Sequence, residues 1–209
     1  MKLNLPNKLT VLRLCLVPVF LVIGMLPNTV IPFYISCLIC AVLFIGTALT
    51  DMFDGKIARR DNLITDFGKF LDPVADKFMV IGALFVLLYK FENLRILMII
   101  SLIIVVFREL AVTSMRLVVS TGQNIVVAAN KLGKLKTVLQ IVAISTVFLE
   151  PVVQNMAKEI GEMITGRELL WRTDIIPLSW ITVVLSLVLT VWSGVAYIKS
   201  YWKYLDPQK

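Results

Sequence analysis

Residues 14–50 read LCLVPVFLVIGMLPNTVIPFYISCLICAVLFIGTALT, 37 residues without a charge and interrupted only at Pro27-Asn28. A helix needs about 20 mostly apolar residues to cross a bilayer, so this stretch holds two membrane-spanning helices joined by a tight turn. The rest of the chain follows suit. Of 209 residues, 58% are hydrophobic and 17% charged, and the mean hydropathy is +0.87, whereas a soluble domain is roughly half apolar and a quarter charged. Length, apolarity and breakers place spans near residues 9–26, 31–50, 70–90, 95–118, 134–156 and 176–199. The expected fold is therefore all-α: a single polytopic domain over 1–209 with six transmembrane helices. The first apolar run passes straight into the second without a small-residue cleavage site, so a retained N-terminus is expected rather than a secretory signal.

Lys and Arg exceed Asp and Glu by 21 to 14. In a soluble chain that excess would raise nucleic acid as a partner; beside membrane spans it points to lipid headgroups or a phosphorylated substrate instead. Counted by connection, 16 basic residues fall on the side that holds both termini and five on the other, which predicts cytoplasmic termini. There is no histidine, which excludes imidazole catalysis and His-ligated metals. Cys15, Cys37 and Cys40 all lie in apolar runs and read as packing residues.

Six of the 14 acids lie between Asp51 and Asp76, where the second span leaves the membrane and the third re-enters. Asp51 and Asp54 are spaced i,i+3 and Asp72 and Asp76 i,i+4, so each pair shares one helix face. Four convergent carboxylates at a membrane boundary repel one another and lose hydration unless cations neutralise them. Two divalent ions would balance them, and an all-oxygen donor set suits Mg²⁺ or Mn²⁺, the two-ion arrangement used for displacement at phosphorus. Asp61 and Asp66 share neither spacing and read as surface acids. Between the pairs, Gly55 and Gly68 offer helix positions at which a flat ligand could meet the backbone, Ala58 follows on the Asp54 face, and Arg59 supplies a forked donor for phosphate.

Written out, the string is Asp51-x2-Asp54-Gly55-x2-Ala58-Arg59-x8-Gly68-x3-Asp72-x3-Asp76. It resembles, position for position, the signature of the CDP-alcohol phosphotransferase family. The resemblance implies a six-helix bacterial membrane enzyme, commonly a homodimer, that transfers a phosphatidyl or similar group from a CDP-linked donor to an alcohol and releases CMP. By carry-over, Asp51, Asp54, Asp72 and Asp76 would hold the two cations and Asp76 would also accept the acceptor's proton. Gly55, Ala58, Arg59 and Gly68 would receive the cytidine nucleotide.

Two further stretches narrow the expectation. Asn7, Thr10 and Arg13 form a polar stripe at i, i+3 and i+6 in an apolar helix, which should face the bundle interior. The opening Leu5–Arg13 is similar to that of bacterial family members that make phosphatidylglycerophosphate, so these three residues are assigned to the donor side of the site. Arg108-Glu109, Arg116 and Leu132-Gly133-Lys134-Leu135-Lys136-Thr137 with Gln140 are similar to the same members. Their cations suit an acceptor with a phosphate of its own, so Arg108, Arg116, Lys134 and Lys136 are the candidate acceptor-phosphate ligands and glycerol 3-phosphate the candidate acceptor. Inositol phosphate, serine and phosphatidylglycerol are the alternatives. The site would face the cytoplasm from the bacterial cytoplasmic membrane, with CDP-diacylglycerol as donor. Residues 141–209 show no chemistry of their own. A prenyltransferase would need a second Asp-rich motif, and a transporter would show inverted repeats or broken midplane helices.

Overall fold

The computed structural model describes residues 4–60, 65–123, 131–166 and 176–202, and among them the chain is helical with no strand. Six long helices follow one another: α1 (Leu5–Met25), α2 (Phe33–Arg60), α3 (Asp66–Lys90), α4 (Arg95–Gln123), α5 (Lys131–Thr165) and α6 (Pro177–Tyr201), with a short 3₁₀ turn, Glu92–Leu94, before α4. Five of them, all but α3, are long and apolar enough to cross a membrane. The third of the six expected spans is therefore a helix that mixes Asp66, Asp72, Asp76, Lys77 and Lys90 with its apolar residues. It carries half of the acid cluster.

The ends are specified locally. Asn4 caps α1 by accepting the Asn7 N–H at 3.1 Å, with proline in the first turn. Thr65 caps α3 by accepting the Gly68 N–H at 3.1 Å, with Asp66 in the first turn and Lys90 in the last, both favourable to the helix dipole. The start of α6 is capped from a distance: the Glu150 carboxylate on α5 accepts the backbone N–H groups of Leu178 and Ser179 at 3.1 and 2.7 Å.

Three helices outrun the expected spans. α2 continues through Asp51 and Asp54 to Arg60, and α4 through Arg116 to Gln123. α5 has 35 residues, about 52 Å at 1.5 Å per residue against a hydrocarbon layer of about 30 Å. Glu159 and Glu162, beyond the expected end of the fifth span at 156, thus sit on the last turns of α5. Polar helix formers end a span by hydropathy without ending the helix, so these helices run past the apolar boundary. Asp61, Arg167, Glu168, Arg172 and Asp174 lie outside the described residues.

α1 packs on α2 and α3, α2 on α5, α3 on α4, and α6 on α4 and α5. The core between them is built from Phe20, Phe44, Leu87, Met98 and Phe148, with Phe20 and Phe148 edge to face at 5.9 Å. Cys37 and Cys40 are buried in it as expected, whereas Cys15 is exposed. Gly24 is required by this packing, because a Cβ there would run into the Val86 side chain. Large apolar side chains such as Leu12, Ile103, Phe107, Val188 and Trp192 point outward, which suits helices solvated by lipid.

Candidate active site

The two expected acid pairs sit at the C-terminal end of α2 and the N-terminal end of α3, and α1 ties them together. Arg13 is 2% exposed and donates from one nitrogen, Nη1, to Asp51 Oδ1 and to Asp76 Oδ1, both at 2.7 Å. Thr10 Oγ1 donates to Asp72 Oδ1 at 2.6 Å. Asn7 Nδ2 donates to Thr65 Oγ1 at 2.9 Å and so secures the cap of α3. The stripe on α1 does face the interior. Its side chains reach the carboxylates and the start of α3 directly, which makes them positioning residues for the acids.

Burial differs across these pairs: the side chains of Asp51 and Asp76 are 43% and 49% exposed. The acids thus lean on a dry guanidinium while staying open on their other side. Asp66 is exposed, apart from them, in the first turn of α3. Gly68 has a reason beyond access for a ligand: a Cβ there would approach Asn7 Oδ1 to 2.8 Å and Thr65 Oγ1 to 3.3 Å. Without a side chain at 68, α1 can dock against the start of α3. Gly55 lies on α2 one residue beyond Asp54; the side chains of Asp54, Ala58 and Arg59 lie outside the described residues.

The acid cluster opens into a cavity of about 420 Å³ lined by Asp72, Asp76 and Lys77 of α3, Arg108, Glu109 and Arg116 of α4, and Lys136, Thr137 and Gln140 of α5. Three of the four expected acceptor cations therefore reach the same space as the carboxylates. Lys134 does not: it is exposed on α5 and lies off that lining. A helix turns 100° per residue, so Lys134 and Lys136 cannot share a face.

Each cation in the cavity is held by a partner. Lys136, buried, donates to Glu109 Oε1 at 2.7 Å, and Arg108 Nη1 donates to the same oxygen at 2.9 Å. Arg108 Nη2 reaches Ser193 Oγ at 3.3 Å, and a Cβ at Gly194 would come to 3.1 Å from Arg108 Cγ. Arg116 Nε donates to the Tyr197 hydroxyl at 2.7 Å, with the guanidinium 5.2 Å from the ring centre. The expectation that residues 141–209 contribute nothing is thus corrected: α6 shapes the cation end through Ser193, Gly194 and Tyr197. A small hydroxyl, a glycine and one aromatic residue in an apolar span have no signature that separates them from packing.

The donor chemistry fits hard divalent cations. Asp51, Asp72 and Asp76 present only oxygen; Asp51 and Asp76 share the positive charge of Arg13, and Asp72 accepts from the neutral Thr10 hydroxyl. Among the described residues no three acidic side chains are gathered around one point, and the guanidinium nitrogen stands between Asp51 and Asp76.

Residues 3–192 match the family described as CDP-alcohol phosphatidyltransferase. A relative from Bacillus subtilis (strain 168) is 44% identical over 155 residues, covering 70% of this chain and 77% of its own; it is named CDP-diacylglycerol--glycerol-3-phosphate 3-phosphatidyltransferase. Relatives with the same name occur in Wigglesworthia glossinidia brevipalpis, 40% identical over 69% of this chain and 76% of its own, and in Yersinia enterocolitica, 35% identical over 97% of both chains.

Proposed function

The chain belongs to the CDP-alcohol phosphatidyltransferase family, and from that premise we propose that it transfers the phosphatidyl group of CDP-diacylglycerol to sn-glycerol 3-phosphate, giving phosphatidylglycerophosphate and CMP. The observation that carries this reading is the polarity of one cavity. At one end Asp72 and Asp76, with Asp51 behind them, leave an excess of negative charge over Arg13 and Lys77; at the other Arg108, Arg116 and Lys136 leave an excess of two positive charges over Glu109. A phosphate monoester carries about −1.5 to −2 and complements the second end. An acceptor bound there by its phosphate presents its free hydroxyl toward the acids. The names of the relatives support the same donor and acceptor.

Asp51, Asp54, Asp72 and Asp76 would hold two divalent cations, Mg²⁺ or Mn²⁺, whose charge would polarise the donor's pyrophosphate and stabilise departing CMP. Arg13 and Thr10 orient three of these carboxylates. Asp76 would accept the proton of the attacking hydroxyl through a carboxylate oxygen, in general-base fashion. Gly55, Ala58, Arg59 and Gly68 would take the cytidine nucleotide. Arg108, Arg116 and Lys136 would fix the acceptor so that its hydroxyl, and not water, meets the phosphorus.

The reading is tested by CMP release from CDP-diacylglycerol in liposomes with a panel of acceptors. Glycerol 3-phosphate should far exceed serine, inositol phosphate, phosphatidylglycerol and glycerol; equal use of glycerol would overturn the acceptor assignment. A six-span topology with cytoplasmic termini in the bacterial cytoplasmic membrane belongs to the same reading, with α3 crossing alongside the five more apolar helices. On a cysteine-free background, an impermeant thiol reagent should label Ile164→Cys from outside intact cells and spare Asn62→Cys; the reverse pattern would put the site on the wrong side. A homodimer completes the proposal and is checked by the mass of the detergent-solubilised protein.

A further inference from the structure

Gln140 is 4% exposed, and its Nε2 has no hydrogen-bond partner among the described residues. A buried amide without a partner is unusual, and this one lines the 420 Å³ cavity. It also lines a smaller hollow of about 80 Å³ shared with Arg13, Asp51 and Asp76. On α5 it lies one turn from Lys136, on the same face. Gln140 therefore stands on the wall between the cations and the carboxylates. Arg108 Nε, the other donor without a partner among the cavity-lining residues, belongs to the cation end.

We propose that the Gln140 side-chain amide hydrogen-bonds the middle hydroxyl of a three-carbon phosphorylated acceptor and so makes acceptor choice depend on that hydroxyl. The inference rests on the acceptor reading above and goes beyond it. Gln140 lies one turn, about 5.4 Å, along α5 from Lys136 and shares a hollow with Asp76, so an acceptor with its phosphate on Arg108, Arg116 and Lys136 and its reacting hydroxyl toward Asp76 runs past Gln140. A hydroxyl both donates and accepts. A carboxamide offers both complements without adding charge, whereas Lys or Arg can only donate and a carboxylate would repel the phosphate. A site built around such a bond rejects the analogue that lacks the hydroxyl, because the buried amide is again left without a partner.

The experiment compares sn-glycerol 3-phosphate with 3-hydroxypropyl phosphate, which lacks only the middle hydroxyl, by CMP release. In the wild-type protein kcat/KM should fall about ten-fold or more with the deoxy acceptor. Gln140→Leu should lose a similar factor with glycerol 3-phosphate, use the two acceptors within about two-fold of each other, and keep its KM for CDP-diacylglycerol. Gln140→Met, closer to glutamine in shape, should behave alike and covers an unstable leucine variant. If the wild-type protein uses both acceptors equally, or if the variants keep its discrimination, the inference fails while the acceptor reading stands. The second result would mean that Gln140 is satisfied otherwise, as by a water in the 20 Å³ hollow it shares with Ser101 and Ser186. If glycerol 3-phosphate yields no CMP at all, the acceptor reading fails and takes the inference with it.

Discussion

The two ends of the central cavity are built on opposite plans. At the acid end the functional groups are half exposed, and one helix, α1, ties them through Arg13 and Thr10. At the cation end Lys136 is buried, 5% exposed, and the cations are held from two sides, by Glu109 on α4 and by Ser193 and Tyr197 on α6. The difference suits the roles proposed for the two ends. Carboxylates that are to bind cations need open oxygens, and their mutual repulsion is relieved by a guanidinium from behind. Cations that are to bind a small anion lose hydration in the bundle and need fixed partners even when the anion is away. The acid end should therefore be sensitive to any loss of an oxygen, and the cation end should degrade in steps.

The largest effect is expected at the acids. Asp51→Asn, Asp72→Asn or Asp76→Asn should each reduce CMP release by roughly a thousand-fold, the scale of losing a charge-stabilising group in a polar site, with circular dichroism unchanged. Asp66→Asn, in the first turn of α3 and outside the tie to α1, should stay within a few-fold. Full activity in EDTA, or in any two of the three variants, would break the contrast by showing that the acids are structural.

At the cation end the effects should be smaller and confined to the acceptor. Arg116→Gln or Lys136→Gln removes a charged hydrogen bond worth roughly 1.5–3 kcal/mol, or about ten- to a hundred-fold in acceptor KM, with the donor KM changed only a few-fold. Lys134→Gln separates spacing from geometry. Lys134 looks equivalent to Lys136 in the sequence, yet it is exposed and off the cavity lining. It should change acceptor KM by less than about three-fold, the scale of an exposed charge; a ten-fold effect would place the acceptor elsewhere.

That pair shows what was legible in advance. The acid end could be read because its residues are local: i,i+3 and i,i+4 carboxylates on two successive helices, and an i, i+3, i+6 stripe on α1 whose polarity has no reason to face lipid. Even there, Gly68 carries a packing role against Asn7 that spacing does not reveal. The cation end is assembled from three helices far apart in sequence, with Arg108 and Ser193 separated by 85 positions. Positive residues near a cytoplasmic boundary look alike whether they bind substrate or obey the charge bias. Helix ends were hidden for a related reason, since hydropathy reports where the lipid stops and α2, α4 and α5 continue past it.

The smallest effect tests the residue that spacing could least have found. Tyr197 is buried on α6, and its hydroxyl accepts from Arg116 Nε while its ring lies 5.2 Å beneath the guanidinium. Tyr197→Phe keeps the ring, and with it the cation–π attraction, and removes one hydrogen bond to a charged group. Such a bond contributes about 1.5–3 kcal/mol where nothing replaces it, but the remaining guanidinium nitrogens stay available to the acceptor phosphate. Only part of that loss should reach binding, so acceptor KM should rise about three- to ten-fold with kcat and donor KM unchanged. The double variant Tyr197→Phe with Arg116→Gln should be no worse than Arg116→Gln alone, because the tyrosine acts only through the arginine. Additive losses in that cycle would mean that Tyr197 touches the acceptor itself, and α6 would then be part of the binding wall rather than its support.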